Sequence, residues 1–276
     1  MRRQRRRRLS LEPDQREALL DRMTQAHRII RLSETGSTNK DAMRLALDGE
    51  PLPLWVVAER QTQGRGRAGR AWVSPAGNLH ASLAFNCAAP LASAGQIALV
   101  AGLALYEAVS ELTDLGIKGR LRLKWPNDLM VGDAKIGGIL VESTVLPARG
   151  LVVVSGFGLN IMHVPEIDRP VTSLGLEMQS ANAEMILAAL ADSCQRWIQS
   201  WDEGRAFPAI RERWLERAGP LGQPITITAG DTTLSGTYQG LNESGALLAA
   251  VGGRLETFNF GDIALGGSTP RGPKQR

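Results

Sequence analysis

The chain has 276 residues, 43% of them hydrophobic and 22% charged, the proportions of a globular protein with one large domain and room for a small appendage, and not of a disordered chain. Its net charge of +4 rests on six arginines within the first eight residues, so the remainder is slightly acidic and the basicity marks a tail and not a nucleic-acid-binding face. No apolar run reaches the roughly 18 residues of a membrane span. The widely separated Cys87 and Cys194 and three isolated histidines support no disulfide, zinc site or Ser-His-Asp triad.

Residues 1–26 read as an arginine-rich leader. No apolar segment follows the arginines, and Glu12, Asp14 and Glu17 come soon after. Neither a signal nor a transit peptide is indicated, and a solvated, disordered arm in a cytoplasmic protein is expected, with Met23 as an alternative start. "TNKDAMRLALDG" (38–49) has Ala42, Leu45 and Ala46 at helical spacing, Ser37 or Thr38 as N-cap and Gly49 as a stop, which predicts a helix. "LWVVAE" (54–59) predicts a buried strand, and "NLHASLAF" (78–85) a second, with Leu79, Ala81, Leu83 and Phe85 in alternation. Residues 92–116 are free of proline and apolar at helical spacing up to a glycine, predicting a long, mostly buried helix. Four strand-like runs follow, "RLRLKW", "DLMVGD", "AKIGGILVEST" and "RGLVVVSGFGLNI". Two helices are predicted near 182–203 and 206–217. From residue 219 the texture changes to short strands and turns, "PITITA", "TLSGTYQGL", "ALLAAV" and "ETFNF", a β-barrel-sized unit of about 50 residues. The expected organisation is a leader at 1–26, a main domain at 27–218, a small β-domain at 219–266 and a disordered tail at 267–276.

"GRGRAGR" (64–70) contains Gly64-x-Gly66-x-x-Gly69, the spacing of a dinucleotide-binding turn. That turn needs a helix after its third glycine and an acidic residue about 20 positions on. Here Pro75, Gly77 and Asn78 break any helix, and no Asp or Glu occurs between Arg60 and Tyr106. A Walker P-loop is excluded too, because no lysine followed by Ser or Thr closes the motif. What remains is a loop of bare backbone and three guanidiniums, Arg65, Arg67 and Arg70. That chemistry suits an anionic substrate over which the loop closes.

Three more clusters point the same way. In "KWPNDLM" (124–130), Lys124 ends a strand beside Trp125 and requires an anionic partner. Asp128 is available to pair with it or to hold Mg²⁺. In "KIGGILVE" (135–142), Gly137 and Gly138 leave room against a strand, and "SGFGLN" (155–160) ends an apolar strand in two glycines and an asparagine. Each alone is weak, since glycines in strands often mark only close packing. Four such clusters on consecutive strands converge on one face of a sheet.

Taken together, "STN" (37–39), "AERQTQGRGRAGRAWVSPAGNL" (58–79), "KWPNDL" (124–129), "KIGGILVE" (135–142) and "GFGLN" (156–160) resemble the biotin–protein ligase family, in its order and spacing, over roughly residues 30 to 265. The resemblance implies an α/β (α+β) fold: a mixed-sheet, class II synthetase-like catalytic domain followed by a small SH3-like β-barrel. It implies a two-step reaction with biotin and MgATP, in which biotinyl-5′-AMP forms and biotin then passes to a lysine of the biotin carboxyl carrier domain of a biotin-dependent carboxylase. By position, Ser37, Thr38, Asn39, Gln61, Gly64, Arg65, Gly66, Arg67, Lys124, Trp125, Gly137 and Gly138 are expected to bind biotin. Arg65, Arg67, Arg70, Trp72, Asn127, Lys135 and Asn160 are expected at ATP, Lys124 and Arg67 in the chemistry, and Asp128 at Mg²⁺. Only about 30 residues precede "GSTN", too few for the winged helix-turn-helix that some family members carry. A monofunctional enzyme without sequence-specific DNA binding or membrane association, monomeric or homodimeric, is therefore expected. A lipoate or octanoate ligase of the same fold is the nearest alternative, and a nucleic-acid-binding protein led by the arginine arm is an alternative of another class.

Overall fold

The apolar runs of the sequence become the strands of two sheets and helices on both faces of the larger one. The computed structural model describes residues 27–265 except 114, 148, 168 and 178–181, so the arginine-rich leader and the C-terminal tail lie outside the described residues. In chain order the elements are β1 (Ile29–Thr35), α1 (Thr38–Leu47), β2 (Leu54–Gln61), β3 (Leu79–Cys87), α2 (Ala94–Leu112), α3 (Leu115–Lys118), β4 (Leu121–Lys124), β5 (Asp128–Val131), β6 (Ala134–Leu146), β7 (Gly150–Leu159), α4 (Leu174–Glu177), α5 (Ala183–Trp201) and α6 (Phe207–Leu215). They are followed by β8 (Pro224–Ala229), β9 (Thr232–Leu241), β10 (Leu247–Val251), β11 (Arg254–Phe258) and β12 (Asp262–Leu265).

The first seven strands form one sheet in the order β1-β2-β3-β7-β6-β5-β4. It is mixed, because β1 runs parallel to β2 while the other neighbours pair antiparallel. The remaining five strands form an antiparallel sheet in the order β11-β10-β9-β8-β12. The sheet is the small β-rich C-terminal domain that was expected, and among the described residues no β11–β12 pairing closes it.

Period-two alternation divides the large sheet into two faces. Trp55, Leu83, Ile139, Val153 and Phe157 pack with α2, α5 and α6 into the main core, whereas Val56, Ala84 and Val154 pack with Ala42 of α1 on the other face. Helix α2 corrects one expectation: Gly95–Leu112 does reach 18 residues, with a mean hydropathy of 1.2. It is a core helix, with Leu103, Ala104, Leu105, Ala108 and Val109 fully buried. The predicted run to residue 116 breaks at Thr113, whose backbone is extended, and resumes as α3.

The sequence reading did not identify β1 and β12. Strand β1 mixes Arg31, Ser33 and Glu34 into an edge position, and β12 has only four residues, so neither carries a clear hydrophobic period. On the α1 face, Gly156 of β7 lies directly beneath Asn39, and a Cβ at that position would sit 2.0 Å from Asn39 Oδ1. Gly156→Ala is expected to destabilise the fold by about 1–3 kcal/mol through overpacking. Urea unfolding checks this, and unchanged stability would mean that Asn39 is free to move aside.

Candidate active site

The floor of the site is the α1 face of β6 and β7. There Gly138, Leu140 and Glu142 of β6 pair with Gly158, Gly156 and Val154 of β7. The glycines strip this face of side chains, and larger groups lie on it. A Cβ at Gly158 would meet the Trp72 indole at 2.4 Å, and one at Gly138 would meet Lys135 Nζ at 2.9 Å. Above this floor is a cleft of about 650 Å³, within the range of small-molecule sites.

One wall is the start of α1. Ser37, Thr38 and Asn39 are buried there, held by a polar network. The Thr38 N–H donates to Gln61 Oε1 at 2.9 Å, Gln61 Nε2 donates to Ser74 Oγ at 2.9 Å, and the Ser82 hydroxyl lies 2.8 Å from Thr38 Oγ1 and donates to Asn39 Oδ1 at 2.6 Å. Asn39 Nδ2 donates to Leu140 O at 3.1 Å and to Glu142 Oε2 at 2.8 Å. Ser37 is the N-cap by backbone geometry and makes no side-chain cap bond.

The second wall is the arginine loop, which is a built structure. The Gly66 N–H donates to Arg70 O at 2.7 Å, the Trp72 N–H donates to Gly64 O at 2.9 Å, and residues 67–69 form a 3₁₀ turn. Gly64 serves this closure, since a Cβ there would lie 2.4 Å from Trp72 O. Each arginine has a carboxylate. Arg65 pairs with Glu142 at 3.0 Å, Arg67 with Asp262 at 3.3 Å, and Arg70 with the other oxygen of Asp262. Arg67 also donates to Gly261 O at 3.1 Å. The second sheet therefore clasps the loop.

The third wall is a buried triad. Lys124 ends β4 and faces Asp128, the first residue of β5, across the ladder, with Lys124 Nζ 3.0 Å from Asp128 Oδ2 and Lys135 Nζ on Oδ1. Lys124 Nζ also donates to Ile263 O of β12 at 3.0 Å. Burial works against ionisation of Asp128, but Lys135 and Lys124 outweigh it and hold the carboxyl below the usual carboxylate range. Burial draws the Lys135 ammonium below its ordinary value, and Asp128 pulls it back only in part. Two cations share one anion, so one positive charge is in excess.

Most of the expected residues meet here: Ser37, Thr38, Asn39, Gln61, Arg65, Gly66, Arg67, Arg70, Trp72, Lys124, Asn127, Asp128, Lys135 and Gly138 all line the cleft. Four do not. Trp125 turns into the core, and its Nε1 donates to Gly245 O of the β9–β10 turn at 3.2 Å. Gly137 faces Leu105 and Leu159, because it lies on the opposite side of the strand from Gly138. Gly64 closes the base of the loop against Trp72 O and Ser74 Oγ. Asn160 is buried, with Nδ2 donating to Thr172 O at 3.2 Å. Asp128 is poorly suited to Mg²⁺, since both its oxygens contact ammonium groups, and among the described residues no cluster of three or more His, Cys, Asp or Glu side chains could hold a metal. Sequence reasoning missed Ser82, Glu142 and Asp262, whereas both glycines of "SGFGLN", Gly156 and Gly158, line the cleft. Glu142 ends the quoted "KIGGILVE" string, and period two places it on the same face as Gly138.

Family models described as "Biotin/lipoate A/B protein ligase family" and "Biotin protein ligase C terminal domain" match residues 30–160 and 221–266. The biotin–[acetyl-CoA-carboxylase] ligase of Paracoccus denitrificans is 35% identical over 243 residues, 86% of this chain and 100% of that protein. This chain belongs to the biotin protein ligase family. The Mycobacterium tuberculosis biotin–[acetyl-CoA-carboxylase] ligase is 31% identical over 84% of this chain and 86% of its own length. Among solved structures, the biotin protein ligase of Aquifex aeolicus in complex with biotin and ATP matches with a TM-score of 0.72 at 27% identity, covering 87% of this chain and 99% of that one. The second sheet, matched as the C-terminal domain of biotin protein ligases, is the element that supplies Asp262 and the Ile263 carbonyl to the cleft.

Asp128→Asn leaves two buried ammonium groups without their counter-ion and is expected to lower stability by about 3–5 kcal/mol at neutral pH. The native carboxyl is depressed, so its stabilisation is present above the unfolded value of about 3.9 and is lost as pH falls through the folded value. The gap between wild type and variant, measured by urea unfolding, is expected to narrow in that acid range. A gap that is constant with pH would contradict the triad.

Proposed function

We propose that this chain is an ATP-dependent biotin–protein ligase that makes biotinyl-5′-AMP and passes biotin to a lysine of a biotin carboxyl carrier domain. The observation that carries this reading is the cleft itself. A buried polar pocket at the start of α1 opens beside a concentration of cations drawn from the arginine loop, β4 and β6. In the first step an oxygen of the biotin carboxylate bonds to the α-phosphorus of ATP and pyrophosphate leaves. Two anions must approach one another, so fixed cations must neutralise both and hold them in line.

Lys124 and Arg67 are the groups to do this. Lys124 is fixed from two sides, by Asp128 and the Ile263 carbonyl. Arg67 sits opposite it across Asn127, which lies 3.4 Å from Arg67 and donates through Nδ2 to Ile139 O at 2.6 Å. At the start of α1, the Ser37 hydroxyl and the Thr38–Gln61 pair offer polar groups to the ureido ring of biotin. Trp72, lying flat over Gly158, offers an aromatic surface to the adenylate. In the second step the uncharged amine of the acceptor lysine attacks the anhydride carbonyl, AMP departs and the new amide forms. The loop excludes water while the anhydride is held. Mg²⁺ accompanying ATP is not assigned to any side chain, and no part of this scheme uses Asp128 as its ligand.

ATP–pyrophosphate exchange, run in parallel with biotin, lipoate and octanoate, tests the reading. Exchange with biotin alone is expected, whereas exchange with lipoate would move the chain to the sister activity of the same fold. Lys124→Ala is expected to lower the exchange rate by about 10²–10³, and a variant with near-native exchange would remove Lys124 from the chemistry.

A further inference from the structure

Glu142 is half-exposed at the rim of the cleft, on the pocket face of β6, and neither the motif reasoning nor the comparisons give it a part. Its two oxygens serve two walls. Oε2 accepts from Asn39 Nδ2 at 2.8 Å, and Oε1 accepts from Arg65 Nη2 at 3.0 Å, with Oε2 a further 3.4 Å contact to the same nitrogen. Asn39 is fully committed within the protein. Its second N–H bonds Leu140 O at 3.1 Å, its Oδ1 receives the Ser82 hydroxyl at 2.6 Å, and the floor beneath it is cleared by Gly156. An amide so saturated is scaffold for its neighbours Ser37 and Thr38. Arg65 takes its carboxylate from the large sheet, whereas Arg67 and Arg70 take theirs, Asp262, from the second sheet.

We infer that Glu142 is a positioning residue for the ligase reaction: one carboxylate fixes the start of α1 and the arginine loop to the same strand, so that the biotin side of the cleft and its cover stay in register. This rests on the ligase reading given above. The physical ground is that a carboxylate can accept from both donors at once, each bond being charge-assisted or directed to a buried amide, and that no neutral side chain can replace it for both. An amide at this position accepts from Asn39 through its oxygen but presents N–H groups to the Arg65 guanidinium, so it keeps one wall and releases the other.

The test compares wild type, Glu142→Gln and Glu142→Ala in biotin-dependent ATP–pyrophosphate exchange, with biotin labelling of serum albumin as the measure of adenylate that escapes the loop. Absence of exchange in the wild type would refute the ligase reading itself, before the variants are compared. With the wild type active, Glu142→Gln is expected to keep the biotin KM within about twofold while albumin labelling rises at least about fivefold, and Glu142→Ala is expected to raise the biotin KM about tenfold as well. Glu142→Gln labelling albumin no more than wild type, or raising the biotin KM beyond about twofold, would overturn the inference. So would a Glu142→Ala variant that folds and keeps the wild-type KM. If Glu142→Ala fails to fold, the near-isosteric Glu142→Gln decides alone by the same two criteria.

Discussion

Cations crowded around one cleft repel one another, and the arrangement of this site depends on the carboxylates that hold them. Among the described residues, Arg65, Arg67, Arg70, Lys124 and Lys135 lie within ion-pair distance of three acidic side chains, Glu142, Asp262 and Asp128. Five positive charges against three negative ones leave a surplus that only incoming anions remove. A biotin carboxylate and the phosphates of ATP are such anions. Burial sharpens the effect at the triad, where water cannot screen the excess, and it is relaxed toward the rim, where Arg65 and Glu142 are partly solvated and their pair contributes geometry more than energy.

The three carboxylates also explain why two sheets are needed. Asp128 and Glu142 belong to neighbouring strands of the large sheet, but Asp262 opens β12 of the second one. Arg67 and Arg70 reach across to it, and Lys124 reaches the next carbonyl along, Ile263. Trp125 adds a contact on the core side through Gly245. The "KWPND" turn is thus fixed on both flanks by the C-terminal sheet: Trp125 anchors it beneath, and Lys124 emerges into the cleft above. The same string that brings Lys124 to the cleft also supplies the joint between the two units.

Much of this was legible in the sequence, for physical reasons that differ by residue. Glycines that clear a strand face and a lysine that follows apolar strand residues announce a ligand, and Gly138 and Lys124 were found on those grounds, whereas Lys135 was expected only from the family resemblance. Side-chain direction was less accessible. Gly137 and Trp125 sit in the right strings but point to the core, because a one-residue step along a strand reverses the face. Asp128 was read as a candidate for a metal, since sequence spacing shows its neighbour Lys124 but not that β6 brings Lys135 onto its second oxygen. Asp262 and Glu142 were missed because their partners are 192 or more and 77 positions away in sequence, and pairing at such distances is set by sheet order, which local patterns do not encode. Strand β1 was missed because an edge strand with polar residues has no strong period.

On the ligase reading, the surplus charge between the arginine loop and the Lys124 triad is where the carboxylate and the α-phosphate meet. A crystal structure of this protein with a non-hydrolysable analogue of biotinyl-5′-AMP tests it most directly. The linkage between the biotin chain and the adenosine is expected within hydrogen-bond reach of both Lys124 Nζ and the Arg67 guanidinium, with the ureido ring at Ser37 and Thr38. A linkage seated elsewhere in the cleft, with Lys124 still paired to Asp128 and making no contact with it, would rule out that meeting point.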